Sequence, residues 1–273
     1  MDIQKNWNQY REKHYEIVFM RYIAEQTPYR VIHKLGYGSY GITYLLEDRK
    51  SEKKVVMKRL RARGKKKRKI RNHFFFEIAT LQHLAEESFP KVFCGGQIED
   101  IPFYIMEYMD GQTFEELIFQ ENKSFTIDES LKIVEELFEI VSKIHKAGYV
   151  HRDLRIPNIL SVDGKLRIID FGLAAPLQKE DKQLGRHRHP KRLKTPQSDL
   201  YAIGHFLLFL LYSTYHPTES KERSWQEELK LPSDIENFIE RLLGIKEIFQ
   251  NISEAQNKLS QIRNHSIQAS RAM

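Results

Sequence analysis

Two short motifs in the second half of the chain place acidic and amide side chains close together. The first is the stretch 151–158, His-Arg-Asp-Leu-Arg-Ile-Pro-Asn, and the second is the triplet 170–172, Asp-Phe-Gly. A carboxylate can orient an attacking hydroxyl, and an amide with a second carboxylate can hold magnesium against phosphate groups. Asp153, Asn158 and Asp170 therefore have the side chains that phosphoryl transfer requires.

The segment between the motifs predicts how Asn158 and Asp170 come together. Two short apolar runs flank Asp163-Gly164, which is a strong signal for a tight turn between antiparallel strands. Such a hairpin folds Asn158 back beside Asp170. An exposed loop and a chance turn would explain either motif alone, but both motifs around a hairpin favour a single site.

The two motifs resemble the catalytic loop and the metal-binding triplet of the protein kinases. Further motifs follow the order of that family from about Tyr29 to about Ile262. The resemblance implies an α+β, bilobal protein-kinase-like fold, with a small β-rich N-lobe that contains one helix, a larger α-helical C-lobe, and ATP between them. The boundaries it implies are a helical extension at 1–28, an N-lobe at 29–107 and a C-lobe at 108–273.

This resemblance gives each residue of the two motifs a role. Asp153 would orient or deprotonate the substrate hydroxyl, and Arg155 would stabilise charge on the transferring phosphoryl group. Asn158 and Asp170 would hold magnesium, with manganese as an alternative ion. Asp199 would brace the backbone of the catalytic loop. Serine/threonine kinases mostly carry lysine where Arg155 stands and some tyrosine kinases carry arginine, so the acceptor type stays open.

A glycine-rich stretch at 36–41, Gly-Tyr-Gly-Ser-Tyr-Gly, lies between two predicted strands. Its three glycines allow a tight turn whose backbone N–H groups can approach phosphate. A dinucleotide-binding loop has similar glycines but opens a helix, whereas a strand follows here. The next predicted strand ends in Lys58, and Glu77, on a helix predicted at 74–84, is placed to pair with it.

The resemblance also implies a nucleotide site. Lys58 would hold the phosphates of ATP, Glu77 would aim the lysine, and the backbone of Glu107 and Met109 would read the adenine edge. The residues expected around the nucleotide are Leu35, Gly36, Gly38, Gly41, Thr43, Val56, Lys58, Met106, Glu107, Met109 and Leu160.

The composition is that of a soluble globular chain. Charged residues make up 30% and apolar residues 41% of its 273 residues. The single Cys94 excludes an internal disulfide and favours a reducing compartment. The N-terminus lacks the apolar core of a signal peptide, and the most apolar segment, 201–212, is shorter than the roughly 20 residues of a membrane span. We therefore expect a cytoplasmic protein without a membrane span.

Apolar periodicity predicts the remaining helices. An amphipathic helix at 1–27 is expected to pack on the domain that follows it rather than to bind a partner. The other predicted helices cover 114–120, 128–147, a buried segment from about 198 to 212, 235–243 and 253–262.

The segment after the Asp-Phe-Gly triplet departs from the family pattern. Only 28 residues separate Asp170 from Asp199, and the usual Ala-Pro-Glu and a clear Asp-Pro-x-x-Arg are both absent. Losing both is coherent, because either charge alone would be left without its partner. No Ser, Thr or Tyr occurs from Phe171 through Lys194. This excludes a phosphorylation switch there and favours activity that is constitutive or set by a ligand.

Two basic clusters indicate an anionic partner. Arg59–Arg71 contains nine Lys or Arg residues and no acidic residue, and Arg186–Lys194 contains five. Such clusters suit an acidic protein substrate, an anionic lipid surface or nucleic acid. A solvated mobile loop is an equally weighted alternative.

Together these features favour an ATP-dependent serine/threonine protein kinase of compact bacterial type that acts on a protein substrate, possibly an acidic one. A kinase for a small or lipid-linked hydroxyl substrate is the main alternative, because the peptide-docking segment is missing. A nucleotide-binding scaffold without catalysis is a third interpretation. Against it stand Lys58, Glu77, Asp153, Asn158 and Asp170, which a scaffold would not need together.

Overall fold

A computed structural model of the chain describes residues 2–38, 40–178, 190–216 and 223–271. The chain forms two compact units, Met1–Asp110 and Gly111–Met273. A β-sheet with two helices makes up the first unit, and the second is mainly helical. The predicted α+β fold class is confirmed.

The first unit is built on a five-stranded antiparallel sheet with the strand order β1-β2-β3-β5-β4. A short 3₁₀ turn, Ala62–Gly64, connects β3 with α2. The elements of this unit are α1 (Asp2–Gln26), β1 (Tyr29–Tyr37), β2 (Gly41–Asp48), β3 (Lys54–Leu60), α2 (Arg68–Leu84), β4 (Val92–Ile98) and β5 (Ile101–Glu107).

The two helices of this unit cover opposite faces of the sheet. Successive residues of a strand point to opposite faces, and Phe103 and Tyr104 are neighbours in β5. Phe103 packs edge to face on Phe19 of α1, with ring centroids 5.8 Å apart. Tyr104 packs on Phe74 of α2, with centroids 5.5 Å apart. The prediction that the N-terminal helix packs on the domain after it is confirmed.

Helix α2 begins earlier than predicted, at Arg68 instead of residue 74. The basic cluster Arg59–Arg71 is therefore ordered along most of its length, as the end of β3, the 3₁₀ turn and the first turn of α2. The alternative interpretation of this cluster as a loop is wrong for the stretches that belong to β3, the 3₁₀ turn and α2. Apolar periodicity missed the start of α2 because its first turn is almost entirely basic.

The second unit combines helices with short strands. Its helices are α3 (Phe114–Phe119), α4 (Ile127–Lys146), α5 (Pro196–Tyr212), α6 (Trp225–Leu229), α7 (Ser233–Leu242) and α8 (Ile252–Arg271). Its short strands are β6 (Gln112–Thr113), β7 (Tyr149–Val150), β8 (Ile159–Val162), β9 (Lys165–Ile168) and β10 (Ala175–Pro176). Helices α3 and α4 start with capping boxes at Thr113 and Thr126, which satisfy their first backbone N–H groups.

The core of this unit lies where α4, α5, α7 and α8 meet. Phe138 of α4 is fully buried and contacts Phe238 of α7 edge to face. Gly204 of α5 allows a close approach of α7, because a Cβ there would lie 2.9 Å from Leu243 Cδ2. In the part of the chain that the structure describes, no helix has the length and apolar character to cross a membrane.

We expect the substitution Phe138→Ala to lower the free energy of unfolding by about 3–5 kcal/mol, because it leaves a cavity among these helices. Phe119→Ala is the matched control, since this phenylalanine of the same unit is 61% exposed. Urea unfolding of both variants measures the difference. Equal losses in the two variants would contradict the packing described here.

Candidate active site

Lys58 and Glu77 form a buried ion pair within the first unit. Lys58 Nζ lies 2.6 Å from Glu77 Oε1, and the two residues are 9% and 4% exposed. Lys58 is on the face of β3 that α2 covers, and Glu77 is on α2. Gly41 leaves room for the lysine, because a Cβ at this position would lie 3.1 Å from Lys58 Cε. The predicted pair is present.

The glycine-rich stretch spans the end of β1, a turn and the start of β2. Gly36 pairs with Thr43 across the two strands, and the Gly38 N–H donates to the Gly41 carbonyl at 3.0 Å. Arg61 donates to the Gly38 carbonyl at 3.1 Å and stacks 4.0 Å from the centre of the Tyr37 ring. From the sequence, Arg61 is only one member of a basic cluster, whereas in the structure its side chain holds this turn. Ser39 lies outside the described residues.

Three further side chains predicted to surround the nucleotide share the face of the sheet that carries Lys58. Thr43 is paired with Lys58, and Val56 is paired with Met106. Residues directly opposite each other in an antiparallel pair point to the same face. The face therefore presents the lysine beside small and apolar side chains.

The other predicted nucleotide residues lie at the ends of this sheet and in the second unit. Leu35 in β1 is 44% exposed and Glu107 at the end of β5 is half-buried, whereas Met109 is buried. Leu160 is buried in β8 of the second unit. The structure thus divides the predicted nucleotide residues between its two units.

Asp153 is held by two neighbours in the second unit. Asn158 Nδ2 donates to Asp153 Oδ2 at 3.0 Å and to the Asp153 carbonyl at 2.9 Å. Arg155 contacts both carboxylate oxygens, with Nε 2.9 Å from Oδ1 and Nη2 3.2 Å from Oδ2. The carboxylate is buried and fixed in one orientation, as a group that must orient a hydroxyl requires.

The predicted hairpin between the two motifs is confirmed. Strands β8 and β9 pair from Ile159–Ile168 to Val162–Lys165, and Asp163 and Gly164 both have the positive φ of a tight turn. At the open end, the Ile169 N–H donates to the Asn158 carbonyl at 3.0 Å. Asp170, with φ 59°, therefore follows directly beside Asn158.

The side chains of Asn158 and Asp170 suit a hard cation such as Mg²⁺. Asn158 uses its Nδ2 to contact Asp153, so its amide oxygen is the atom it can offer to a metal. Over the described ranges of the chain, no three or more His, Cys, Asp or Glu side chains cluster as a metal site. An ion held by one amide and one carboxylate would take its other ligands from water and phosphate oxygens.

The buried carboxylate of Asp199 supports the backbone of the loop that carries Asp153. It accepts the backbone N–H of His151 at 2.9 Å and that of Arg152 at 2.6 Å, and His145 Nε2 lies 2.9 Å away. Arg152 has φ 68°, a conformation that costs a non-glycine residue roughly 1–3 kcal/mol. Burial acts to raise the pKa of Asp199, but these donors outweigh it and hold the pKa below its usual value.

Comparison with known proteins identifies the family. Residues 29–262 match the family described as Protein kinase domain. The probable serine/threonine-protein kinase YbdM of Bacillus subtilis is 34% identical over 232 residues, which cover 85% of this chain and 88% of that protein. The chain belongs to the protein kinase family.

Other protein kinases are similar to this chain over a smaller share of its length or at a lower sequence identity. The serine/threonine-protein kinase PrkC of Bacillus subtilis is 29% identical over 67% of this chain, which spans only 30% of that protein. The crystal structure of the PknI kinase domain from Mycobacterium tuberculosis superposes with a TM-score of 0.63 over 86% of this chain and 95% of that chain, at 17% identity. This second likeness supports the fold alone.

One buried side chain of this kinase, Gln197, lies at the start of α5, two residues before Asp199. Gln197 donates from Nε2 to the carbonyls of Phe249 and Gln250, at 3.3 and 2.9 Å. The nearby Arg241 pairs with Glu254 at 2.6 Å. A neutral amide therefore anchors the start of α5, and its contacts need no charged partner.

His151 links the catalytic loop to the strand before the Asp-Phe-Gly triplet. Its Nδ1 accepts the Asp153 N–H at 3.2 Å and its Nε2 faces the Ile169 carbonyl at 3.3 Å, so we assign the proton to Nε2. Burial lowers the pKa of His151, although the Asp199 and Asp153 carboxylates oppose this shift. The imidazole is neutral in the folded state at neutral pH.

This lowered pKa predicts a pH-dependent loss of stability. Below the ordinary histidine pKa of about 6.5, the unfolded chain binds a proton that the folded chain excludes. The protonation of His151 therefore costs no stability well above pH ~6.5, and stability falls as the pH drops below that value.

Urea unfolding near neutral and mildly acidic pH measures this loss in the wild type and in His151→Phe. We expect the variant to be less stable overall but to lose less stability on acidification. An identical pH dependence in both proteins would contradict the assignment of a buried neutral histidine.

Proposed function

We propose that this kinase transfers the γ-phosphate of ATP to serine or threonine hydroxyls of a protein, and that it acts in the reducing cytoplasm. The observation that carries the proposal is the Asp153 carboxylate, fixed by Asn158 and Arg155 in a loop that Asp199 braces. The names of the relatives support the serine/threonine acceptor. The free thiol of Cys94 agrees with a reducing compartment.

The other groups of the site each have a task in this reaction. Lys58, held by Glu77, would bind the phosphates of ATP, and Asn158 with Asp170 would hold Mg²⁺, for which Mn²⁺ is an alternative. Asp153 would orient the acceptor hydroxyl and take its proton. The forked guanidinium of Arg155 reaches both oxygens of Asp153, which the single ammonium of a lysine would not do in the same geometry.

We expect Asp153→Asn to lower phosphate transfer from labelled ATP to a protein substrate by about 100-fold or more, because the amide takes no proton from the acceptor. The binding of a fluorescent ATP analogue and the melting temperature should stay near the wild-type values. Asp163→Asn, in the exposed turn between β8 and β9, is the matched control. Full activity of Asp153→Asn would contradict the proposal.

A cavity beside Asp153 also fits a second candidate function, phosphorylation of a small hydroxyl compound. It has a volume of about 470 Å³ and is lined by basic side chains, Arg155 and Lys191, and by aromatic ones, Phe206 and Phe209. Lys191 and Arg155 also suit an acidic segment of a protein. If ATP is bound and no protein is ever labelled, the small-molecule reaction becomes the better explanation.

The first basic cluster offers an anionic partner a smaller surface than the sequence indicates. Four of its basic residues make contacts inside the unit: Arg59, Arg61, Lys65 and Arg71. Lys66, Lys67, Arg68 and Lys69 are exposed around the start of α2. We propose these four residues as the contact for an acidic protein or nucleic acid. Of the second cluster, residues 186–189 lie outside the described residues.

For nucleic acid, contacts with phosphate groups predict a strong salt dependence. The logarithm of the binding constant for single-stranded DNA should fall against the logarithm of salt concentration with a slope of about −0.7 per neutralised phosphate. Changing the four residues to glutamine should flatten the slope by about two to three units. A variant with glutamine at the exposed Lys50, Lys91, Lys132 and Lys165 is the control. Equal slopes for both variants would exclude this surface as the site.

A further inference from the structure

The first unit contains a second buried ion pair, between Glu12 of α1 and Arg59 of β3. Arg59 Nη1 lies 2.6 Å from Glu12 Oε1, and the two residues are 0% and 6% exposed. The guanidinium also lies 5.2 Å from the centre of the Phe19 ring and 5.8 Å from that of Tyr44. An arginine is rarely buried to this extent without a specific partner.

Stability alone does not account for this pair. Removing two charges from water is costly, and a well-packed apolar pair of similar volume often stabilises a protein as much or more. Within the described residues, Arg59 Nη2 has no hydrogen-bond partner, which adds to the cost. What an ion pair adds over apolar packing is a fixed direction and distance between the two elements it joins.

The position of Arg59 next to Lys58 explains why a fixed geometry between α1 and β3 matters. Arg59 directly follows Lys58 in β3, so the two side chains point to opposite faces of the sheet. Lys58 is paired with Glu77 of α2 on one face, and Arg59 is paired with Glu12 of α1 on the other. Consecutive residues of one strand thus connect the two helices to the sheet.

Helix α1 also holds the short link between β3 and α2. Glu12 Oε2 accepts the Ala62 N–H at 3.0 Å, and Arg11 donates to the Ala62 carbonyl at 3.3 Å. Lys65 Nζ donates to the Tyr15 hydroxyl at 2.9 Å. Both oxygens of Glu12 are therefore used, one on the strand that carries Lys58 and one on the link that leads to Glu77.

The start of α2 has little stabilisation of its own. Its N-cap, Lys67, makes no side-chain capping bond, and its first turn has no acidic residue. Arg68 and Lys69 place positive charge at the positive end of the helix dipole, which is unfavourable. The first turn of α2 thus depends on the link packed before it, where a Cβ on Gly64 would lie 2.9 Å from Ile70 Cγ2.

We propose that Glu12 is a positioning residue for the reaction. By holding Arg59 and Ala62 at once, it fixes the start of α2 and so keeps Glu77 in reach of Lys58. The N-terminal helix is then part of the phosphate-binding apparatus, although none of its residues needs to touch ATP. The inference rests on the proposed role of Lys58 in binding ATP.

The test is a double-mutant cycle of Glu12→Gln and Glu77→Gln. If Glu12 acts through Glu77, Glu12→Gln lowers kcat/KM for ATP about fivefold or more in the wild-type background and less than about twofold when Glu77 is already glutamine. If Glu12 had a purely structural role, Glu12→Gln would lower kcat/KM by the same factor in the wild-type and Glu77→Gln backgrounds. Glu16→Gln, which removes the ion pair of α1 with Lys34, is the control and should leave kcat/KM within about twofold.

Hydrogen exchange gives a readout that does not need activity. In Glu12→Gln, the amides of residues 68–77 should exchange about fivefold or more faster than in the wild type, and those in Glu16→Gln should not. Tyr15→Phe removes only the hydroxyl that Lys65 contacts. It should lower kcat/KM and speed exchange in α2 by smaller factors than Glu12→Gln. This variant replaces Glu12→Gln in the test if Glu12→Gln does not fold.

Equal factors in both backgrounds, or unchanged exchange in α2, would overturn the inference. If the protein transfers no phosphate at all, the proposed function fails, and hydrogen exchange alone then decides whether Glu12 positions α2.

Discussion

The first unit depends on one strand, β3, whose consecutive residues Lys58 and Arg59 each bind a carboxylate on opposite faces of the sheet. Alternation along a strand makes this arrangement unavoidable once both side chains are buried and paired. The strand that carries Lys58 is therefore tied to both helices, to α2 by Lys58 itself and to α1 by its neighbour Arg59. A shift of α2 would move Glu77, the direct partner of Lys58, and a shift of α1 would act on Lys58 through the adjacent Arg59.

In the second unit, the corresponding constraint is the buried carboxylate of Asp199. It accepts two consecutive backbone N–H groups of the catalytic loop and thereby supports the left-handed conformation of Arg152. His151 then connects this loop with Ile169, next to Asp170. Gln197, on the same helix α5 as Asp199, anchors this helix by neutral hydrogen bonds to the Phe249 and Gln250 carbonyls.

The sequence predicts those features that depend on local patterns. Asp163-Gly164 requires a tight turn, so the hairpin that brings Asn158 to Asp170 could be predicted, and periodicity gave most helices. The pair of Glu12 and Arg59 could not be predicted, because nothing local distinguishes a charge that will be buried against a residue far away in the chain. The start of α2 was missed because its first turn lacks both a cap and apolar spacing.

We propose that the fixed carboxylate of Asp153 and the paired Lys58 serve phosphate transfer from ATP to serine or threonine. Mass spectrometry of a protein mixture incubated with the kinase, ATP and Mg²⁺ tests it most directly, with the Asp153→Asn variant treated in parallel. The account predicts phosphoserine and phosphothreonine that form only with the wild type. Phosphotyrosine alone, or a phosphorylated small molecule and no labelled protein, would contradict it.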